Sequence, residues 1–404
     1  MGAGAGERGD AGRRRREAAW FRAALASLVL MTTASCTAGP APRPVTPSAV
    51  PQASATGPSS PSPGPAGFPA GPVLAPATAT PQDVLTDLDT PWSVAFLPGG
   101  AVLVTSRDTA QVLLLTATGV APLHGPGADD LAQGTAVDGE GGLLGVAVSP
   151  DVASDHLIYL YRTTPDGNEV VRGSLDALAG TLGALEQVIG GIPSASHHDG
   201  GRLAFGPDGD LYVTTGDAGL RAPAQDPASL AGKILRLAPD GTPAPGNPVE
   251  GSPVWSLGHR NVQGVGWDAG GRMYASEFGQ DTWDELNLIE PGADYGWPAV
   301  EGTAGAAGMT DPLVTWPTDD ASPSGIAVTP SAVYLAALRG ERLWRVPLDG
   351  GRAGTPTVAL DGLGRLRDVV LGPDGALWML TQNTDGRGDP RAGDDRLVRV
   401  LPPG

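Results

Sequence analysis

From Val84 onward, one alternation of apolar and polar positions recurs along the chain. A short apolar strand leads into a turn rich in Pro, Asp or Gly, and a second short strand follows, as in "GRLAFGPDGDLYVTTGD" and "LRDVVLGPDGALWMLTQ". The phrase returns as "PWSVAFLPGGAVLVTS", "LLGVAVSPDVASDHLIYLYR", "QGVGWDAGGRMYASEFG" and "SGIAVTPSAVYLAAL". Most copies are followed by a third strand such as "KILRLAPDG".

Period-two alternation with Gly-rich turns and no convincing amphipathic helix predicts antiparallel β-structure. Six repeats, spaced by roughly 45 to 60 residues, are typical of a β-propeller in which each repeat forms one blade. The sequence therefore predicts an all-β fold, a six-bladed β-propeller, over residues 83–404.

The N-terminus has the pattern of an export signal. Residues 13–16 are all arginine, and residues 18–34 form a mostly apolar run that ends just before Cys36, the only cysteine of the chain. A run this short fits a signal peptide better than a membrane-spanning helix. Ala34 and Ser35 before Cys36 resemble a bacterial lipobox, whose cysteine is lipidated; the alternative is ordinary cleavage nearby, leaving a free thiol.

We therefore expect a lipoprotein signal peptide over residues 1–36 and a protein either lipid-anchored to the outer face of the cell membrane or secreted. Residues 37–82 are rich in Pro, Ala and Ser, nearly uncharged and without apolar periodicity. This composition predicts a disordered tether between the anchor and the folded domain.

The charge of the chain narrows the choice of partners. A formal net charge of −18 argues against nucleic acid and against binding to a membrane through basic residues. Membrane contact is therefore expected only through the lipid anchor, and we expect a monomer or weak dimer. Lys233 is the only lysine, so nearly all positive charge is arginine, which suits bidentate recognition of carboxylates.

A propeller fold alone does not define a function, so candidate chemistry has to come from the loops at the central channel. Two of the five histidines, His197 and His198, precede the glycine pair Gly200 and Gly201. Asp217 ends the following hairpin, where strand geometry could return it to His198. A histidine held by a carboxylate is a general-base pair; the alternative is a hydrogen-bonded loop histidine.

Several arginines fall on the same kind of loop. Arg260 precedes Asn261, and Arg365 and Arg367 are two residues apart, so their side chains share one strand face. With Arg339, these residues in an acidic protein suggest an anionic ligand with several carboxylates. The alternative for each arginine is a salt bridge between blades.

Six motifs carry a family resemblance: "GEGGLLG", "HHDGGRLAFGPDG…TTGD", "GHRNVQG", "WDELNLIEPGADYGWP", "AALRG" and "GRLRDVVLGPDG". Their order and spacing, over about residues 84–402, resemble the soluble quinoprotein glucose/sorbosone dehydrogenases, also called aldose sugar dehydrogenases. These are exported six-bladed propellers that use pyrroloquinoline quinone (PQQ) and calcium. The resemblance implies oxidation of the anomeric C1 hydroxyl of an aldose sugar to a lactone, by hydride transfer to PQQ, with an external electron acceptor.

The resemblance also implies roles for individual residues. His198 would take the proton of the anomeric hydroxyl, Asp217 would orient it, and Arg260 would polarise the quinone oxygen. Backbone carbonyls of Gly279 and Gln280 would hold a calcium ion that bridges to PQQ. The remaining implied contacts are Glu140, Asn261, Arg339, Arg365 and Arg367 for PQQ, and Glu285 and Tyr295 for a second, structural calcium ion.

Three positions depart from the family pattern. Arg339 replaces a lysine, and Gln280 stands where proline is frequent, which a backbone ligand tolerates. Glu140 stands where glutamine is common, and a carboxylate near an anionic quinone is unfavourable unless it is protonated or paired with calcium.

Two other functions fit the same fold. One is a propeller that binds a sugar or a protein without redox chemistry, and the other is a calcium-dependent hydrolase of the lactonase type. The pair His198–Asp217 and the two arginines of "RLR" favour the dehydrogenase over the binding module. A lactonase would need an axial ring of Asp, Asn and Glu ligands, which the sequence does not display.

Overall fold

Six antiparallel sheets form the folded part of the protein, and a computed structural model describes residues 67–402. Each of the six repeated phrases supplies the first two strands of one sheet, so the predicted six-bladed β-propeller is confirmed. The innermost strands neighbour one another in a closed ring around the axis.

The strands of the first three blades are as follows. Blade 1 contains Pro91–Phe96, Val102–Ser106, Gln111–Thr116 and Gly119–Pro122. Blade 2 contains Leu143–Val148, Leu157–Thr164, Gly167–Asp176 and Glu186–Ile192, with Thr181–Leu182 paired to its third strand. Blade 3 contains Leu203–Phe205, Leu211–Thr214, Lys233–Leu237 and Val254–Leu257.

Blades 4 to 6 follow the same plan. Blade 4 contains Val262–Trp267, Met273–Glu277, Trp283–Ile289 and Val314–Pro317. Blade 5 contains the strands Pro323–Thr329, Ala332–Ala337 and Arg342–Asp349. The third of these, Arg342–Asp349, pairs with both Arg352–Ala353 and Thr357–Asp361. Blade 6 contains Leu366–Leu371, Leu377–Thr381 and Leu397–Val400.

The ring closes by joining the two ends of the domain. The strand Gln82–Leu85 pairs antiparallel with Leu397–Val400, with Gln82 opposite Arg399, and so completes blade 6. Because an early strand lies in the last blade, the ring cannot open without breaking this pairing.

Helical structure is sparse. The described residues contain the helices Pro126–Gly134 and Val152–Asp155 and the 3-10 turn Ala222–Gln225. The nine-residue helix Pro126–Gly134, which has proline in its first turn, was not expected from the strand pattern. Within residues 67–402, no helix has the length and apolar character needed to cross a membrane.

Ordered packing begins before the expected domain boundary at residue 83. Phe68 is buried among the apolar residues of blades 1 and 2. The Gly71 N–H donates to the Gly99 carbonyl at 2.9 Å, and the Leu401 N–H donates to the Thr78 carbonyl at 2.8 Å. The last part of the expected tether therefore packs on the propeller, whereas residues 1–66, including the expected signal peptide and Cys36, lie outside the described residues.

A buried ion pair links the inner strands across the axis. The Arg202 Nη1 donates to Asp368 Oδ2 at 2.9 Å and to Ser93 Oγ at 3.0 Å, and Arg202 Nε donates to the Gln263 carbonyl at 2.8 Å. The guanidinium also lies 4.3 Å from the ring centroid of Trp92. One side chain of blade 3 thus contacts blades 1, 4 and 6.

We expect Arg202→Ala to lower the free energy of unfolding by about 3–5 kcal/mol, because Asp368 would remain buried without its cation. Thermal and chemical unfolding measure this effect. Arg352→Ala, at an exposed position of blade 5, is the matched control and should change stability by no more than about 0.5 kcal/mol. Equal stability of the two variants would contradict the role given to Arg202.

Candidate functional site

A cavity of about 380 Å³ lies at the axis. It is lined by residues at or near the start of the innermost strands of blades 2 to 6 and by the loops between the second and third strands of blades 4, 5 and 6. Most of the site residues predicted from the sequence line this cavity. Those that line it are Glu140, His198, Arg260, Asn261, Gly279, Gln280, Arg339, Arg365 and Arg367. Of the remaining four, Asp217 contacts His198, Cys36 lies outside the described residues, and Glu285 and Tyr295 do not line the cavity.

His198 and Asp217 form a hydrogen-bonded pair at the cavity wall. His198 Nδ1 lies 2.7 Å from Asp217 Oδ1, and the other carboxylate oxygen accepts from Trp297 Nε1 at 2.8 Å. Burial acts to raise the pKa of Asp217, but the bonds from His198, Gly219 and Trp297 hold it below its usual value. An ionised Asp217 places the proton on Nδ1, which leaves Nε2 of His198 able to accept a proton.

The backbone distinguishes the two adjacent histidines. His198 is buried and has a positive φ of 62°, whereas His197 is exposed. The turn depends on Gly216, because a Cβ there would lie within 2 Å of the His198 carbonyl oxygen. His198 lines the cavity, whereas His197 is not part of its lining.

Arg367 is buried inside the cavity wall without a carboxylate partner among residues 67–402. Its Nη1 donates to Gln263 Oε1 at 2.6 Å, and its Nε donates to Gln382 Oε1 at 2.5 Å. Burial, reinforced by Arg107 and Arg365, lowers the pKa of Arg367 to about 9. This arginine is not a salt bridge between blades, so its charge is available to a ligand.

The other arginines keep protein partners. Arg365 Nη2 lies 3.3 Å from Asp385, and the exposed Arg339 pairs with Asp319 at 2.6 Å. Arg260 donates from Nε and Nη2 to Gln280 Oε1 at 3.1 and 2.9 Å. Arg365 and Arg339 are therefore each neutralised by an aspartate, whereas Arg260 forms no salt bridge among residues 67–402.

Asn261 holds the histidine loop in place. Its Oδ1 accepts the Gly200 N–H at 3.0 Å, and Asn261 is almost fully buried. The Asp217 N–H donates to the carbonyl of Arg260 at 2.8 Å. The segment "GHRN" therefore braces the segment that carries His198.

Glu140 is paired with an arginine that the sequence analysis did not single out. Its Oε1 lies 3.2 Å from Arg387 Nη1, and its Oε2 accepts the His198 N–H at 3.0 Å. Burial acts to raise the pKa of Glu140, but the His198 N–H and Arg387 outweigh it and keep the pKa below its ordinary value. The carboxylate is therefore ionised and neutralised by Arg387, rather than protonated.

The Gly279–Gln280 segment presents unpaired carbonyl oxygens. The N–H groups of Gly279 and Gln280 donate to Asp284 and Glu301, at 2.9 and 2.8 Å. Within residues 67–402, no hydrogen bond ends on either carbonyl oxygen. Two hard oxygen donors are thus available at the cavity wall, a ligand type that suits calcium.

Glu285 lies in blade 4, directly opposite Glu277 in the strand register. Burial and the charge of Glu277 raise the pKa of Glu285 to about 8, and Asn287 Oδ1 is buried there without a partner. The hydroxyl of Tyr295 instead donates to the Leu288 carbonyl at 2.7 Å. Among the described residues, no group of three or more His, Cys, Asp and Glu side chains is arranged to hold a metal, so a calcium site at Glu285 and Tyr295 stays a prediction.

Three contacts at the site escaped the sequence analysis. Trp297 orients Asp217, Arg387 neutralises Glu140, and Glu301 Oε1 accepts the N–H groups of four successive residues, 280–283. Trp297 lies in the motif "WDELNLIEPGADYGWP", which is the only feature of the sequence that points to this residue. No local pattern marks Arg387 or Glu301.

Comparison with known proteins agrees with this architecture. The family model "Glucose / Sorbosone dehydrogenase" matches residues 88–398, and the chain belongs to that family. The aldose sugar dehydrogenase of Escherichia coli K12 is 30% identical, over 77% of this chain and 92% of that protein.

Two solved structures extend the likeness. The PQQ-bound aldose sugar dehydrogenase of Streptomyces coelicolor is 50% identical, with a TM-score of 0.75 over 80% of this chain and 98% of that one. An oxidoreductase from Thermus thermophilus, described as a glucose dehydrogenase, is 42% identical, with a TM-score of 0.74 over 80% of this chain and 99% of that one.

Asp199, next to the buried histidine, is a carboxyl group in an unfavourable environment. Its Oδ1 accepts from Asn168 Nδ2 at 3.0 Å and from the Ala195 N–H at 3.2 Å, but its buried Oδ2 has no partner. Burial raises its pKa to about 6. The folded protein therefore holds a proton here, between about pH 4 and 6, that the unfolded chain releases.

Stability should accordingly fall as the pH rises through that window, because the folded state binds the extra proton. Asp199→Asn should remove this pH dependence, because an amide does not ionise over this range. Chemical unfolding at pH 4, 5, 6 and 7 measures it, with the exposed Asp166→Asn as control for the loss of one charge. A variant with the wild-type pH profile would show that Asp199 ionises normally.

Proposed function

We propose that this protein is a quinoprotein oxidoreductase that oxidises the anomeric C1 hydroxyl of aldose sugars to lactones, with PQQ and calcium. The observation that carries the proposal is the buried Arg367, which has no carboxylate partner in a cavity also lined by Arg260 and Arg365. A buried cation of this kind is stabilised by an anionic ligand. The names of the related dehydrogenases point to the same chemistry.

The residues present fit an anionic quinone. Arg365 and Arg367 would bind its carboxylates, Arg339 would add positive charge at the cavity edge, and Asn261 would donate a hydrogen bond. When bound, PQQ supplies the acceptor for the hydride of the substrate. The carbonyl oxygens of Gly279 and Gln280, which lack protein donors, would hold the calcium ion beside it.

The chain's own groups then handle the proton. His198 Nε2 takes the proton of the C1 hydroxyl, because Nδ1 is already bonded to Asp217. The ionised Asp217 stabilises the resulting imidazolium, and Trp297 keeps that carboxylate in place. Arg260 lines the same cavity and would place a preorganised positive charge next to the bound acceptor, which is electrostatic stabilisation.

The electron acceptor and the location of the protein are proposed from the sequence. An external electron acceptor would reoxidise the cofactor, and Cys36 would anchor an exported protein to the outer face of the membrane. Glu285, close to Glu277 and the unpaired oxygen of Asn287, would contribute to a second calcium site.

The first test is cofactor binding. Purified apoprotein titrated with PQQ should bind it in the presence of calcium and lose it when a chelator is added. Arg365→Ala and Arg367→Ala should each weaken binding by about tenfold or more, since a charge-assisted hydrogen bond contributes about 1.5–3 kcal/mol. Arg352→Ala is the control, and wild-type affinity in both cavity variants would assign these arginines a structural role.

The second test separates the two histidines. His198→Ala should reduce turnover by about 10² to 10⁴, the usual contribution of a general base, with PQQ still bound. His197→Ala should cost less than about tenfold, and Asp217→Asn should fall between them because the base loses its orienting charge. Turnover with an artificial dye and PQQ occupancy are measured on each variant. An inactive His197→Ala beside an active His198→Ala would exclude His198 as the base.

A further inference from the structure

The contact between Glu140 and Arg387 crosses the cavity edge. Glu140 lies in the loop before blade 2, and Arg387 lies in the loop between the second and third strands of blade 6. Their side chains meet at 3.2 Å, with 21% of the Glu140 and 50% of the Arg387 side chain exposed. The pair therefore joins two loops that are far apart in sequence and face the same cavity.

Glu140 also holds the backbone of the proposed base. Its second carboxylate oxygen accepts the N–H of His198, whose φ of 62° lies in the left-handed region. Residues other than glycine adopt this region at a cost, and they keep it only where surrounding contacts enforce it. The Glu140 carboxylate is one of those contacts, so it fixes the position from which the imidazole enters the cavity.

Arg387 is itself held in a defined place. Its N–H donates to Asp385 Oδ1 at 3.0 Å, and the other oxygen of Asp385 lies 3.3 Å from Arg365. Gly388 lets the loop approach closely, because a Cβ there would lie 2.8 Å from the Arg365 side chain. The loop that carries Arg387 is thus packed against one of the arginines proposed to bind the cofactor.

We propose that Glu140 and Arg387 act together as a positioning pair. Glu140 fixes the His198 backbone, and Arg387 supplies the positive charge that allows a carboxylate to lie beside an anionic ligand. Without Arg387, Glu140 would repel that ligand; without Glu140, the His198 N–H would lose its acceptor. The inference rests on the proposed function for the identity of the ligand and of the base.

A double-mutant cycle on PQQ affinity tests the charge balance. In the presence of calcium, Arg387→Gln should weaken PQQ binding by about tenfold or more, because the unpaired Glu140 carboxylate would repel the anionic ligand. The same substitution in a Glu140→Gln background should change affinity by less than about threefold. Arg352→Gln controls for the loss of a positive charge elsewhere. Equal weakening in both backgrounds would overturn the proposal, since Arg387 would then act on the ligand directly.

A conservative pair of variants tests the positioning role. Glu140→Gln keeps an oxygen that can accept the His198 N–H, whereas Glu140→Ala removes it. At saturating PQQ and sugar, turnover should be about tenfold lower in Glu140→Ala than in Glu140→Gln, because only the glutamine keeps an acceptor for the His198 N–H. Equal turnover in the two variants would overturn the positioning role.

Thermal unfolding of the cofactor-free protein tests the contact between Glu140 and Arg387 without any measurement of activity. The same double-mutant cycle should show that the effects of Arg387→Gln and Glu140→Gln on unfolding are not additive, because the two groups contact each other. Additive effects would overturn the pairing. If the wild type binds no PQQ while the unfolding cycle still shows coupling, the proposed function fails and the ion pair stands.

Discussion

The ion pair between Arg202 and Asp368 is the contact on which the geometry of the site depends. A propeller brings six inner strands to one axis, where polar backbone and side-chain groups are removed from water and have to be satisfied by one another. The guanidinium of Arg202 meets this need for three other blades at once. Asp368 in turn accepts the N–H of Val94 from blade 1 at 3.0 Å.

The same network sets the position of Arg367. Gln263 uses its backbone carbonyl to accept from Arg202 and its side-chain oxygen to accept from Arg367. The cation in the cavity is therefore held through neutral amides, which position it without cancelling its charge. This arrangement explains why burial lowers the pKa of Arg367, and why an anion in the cavity would stabilise the charged form.

Repetition made the fold predictable, because each blade contains the same two-strand phrase in the sequence. The site was partly predictable for the same reason: His198, Arg260 and Arg365 each lie just before an inner strand, where the repeat places them at the axis. The partners Arg387 and Glu301 could not be found this way, since both lie in irregular loops whose course is set by tertiary contacts. The packing of Phe68 was missed because a composition typical of a tether conceals a single buried aromatic residue.

Charge at the cavity is divided between two kinds of arginine. Arg365, which is buried, and Arg387, which is half-exposed, each have a carboxylate partner and shape the loops. Among residues 67–402, Arg367 donates its hydrogen bonds to amide and hydroxyl oxygens and lies over the ring of Trp92, so no carboxylate partner offsets the cost of its burial. Because the chain carries a net charge of −18, a cavity that takes an anion would need the carboxylates at its wall to be paired with cations. Glu140 is the clearest case, because its ionised carboxylate lies at the cavity wall, accepts the His198 N–H and is paired with Arg387.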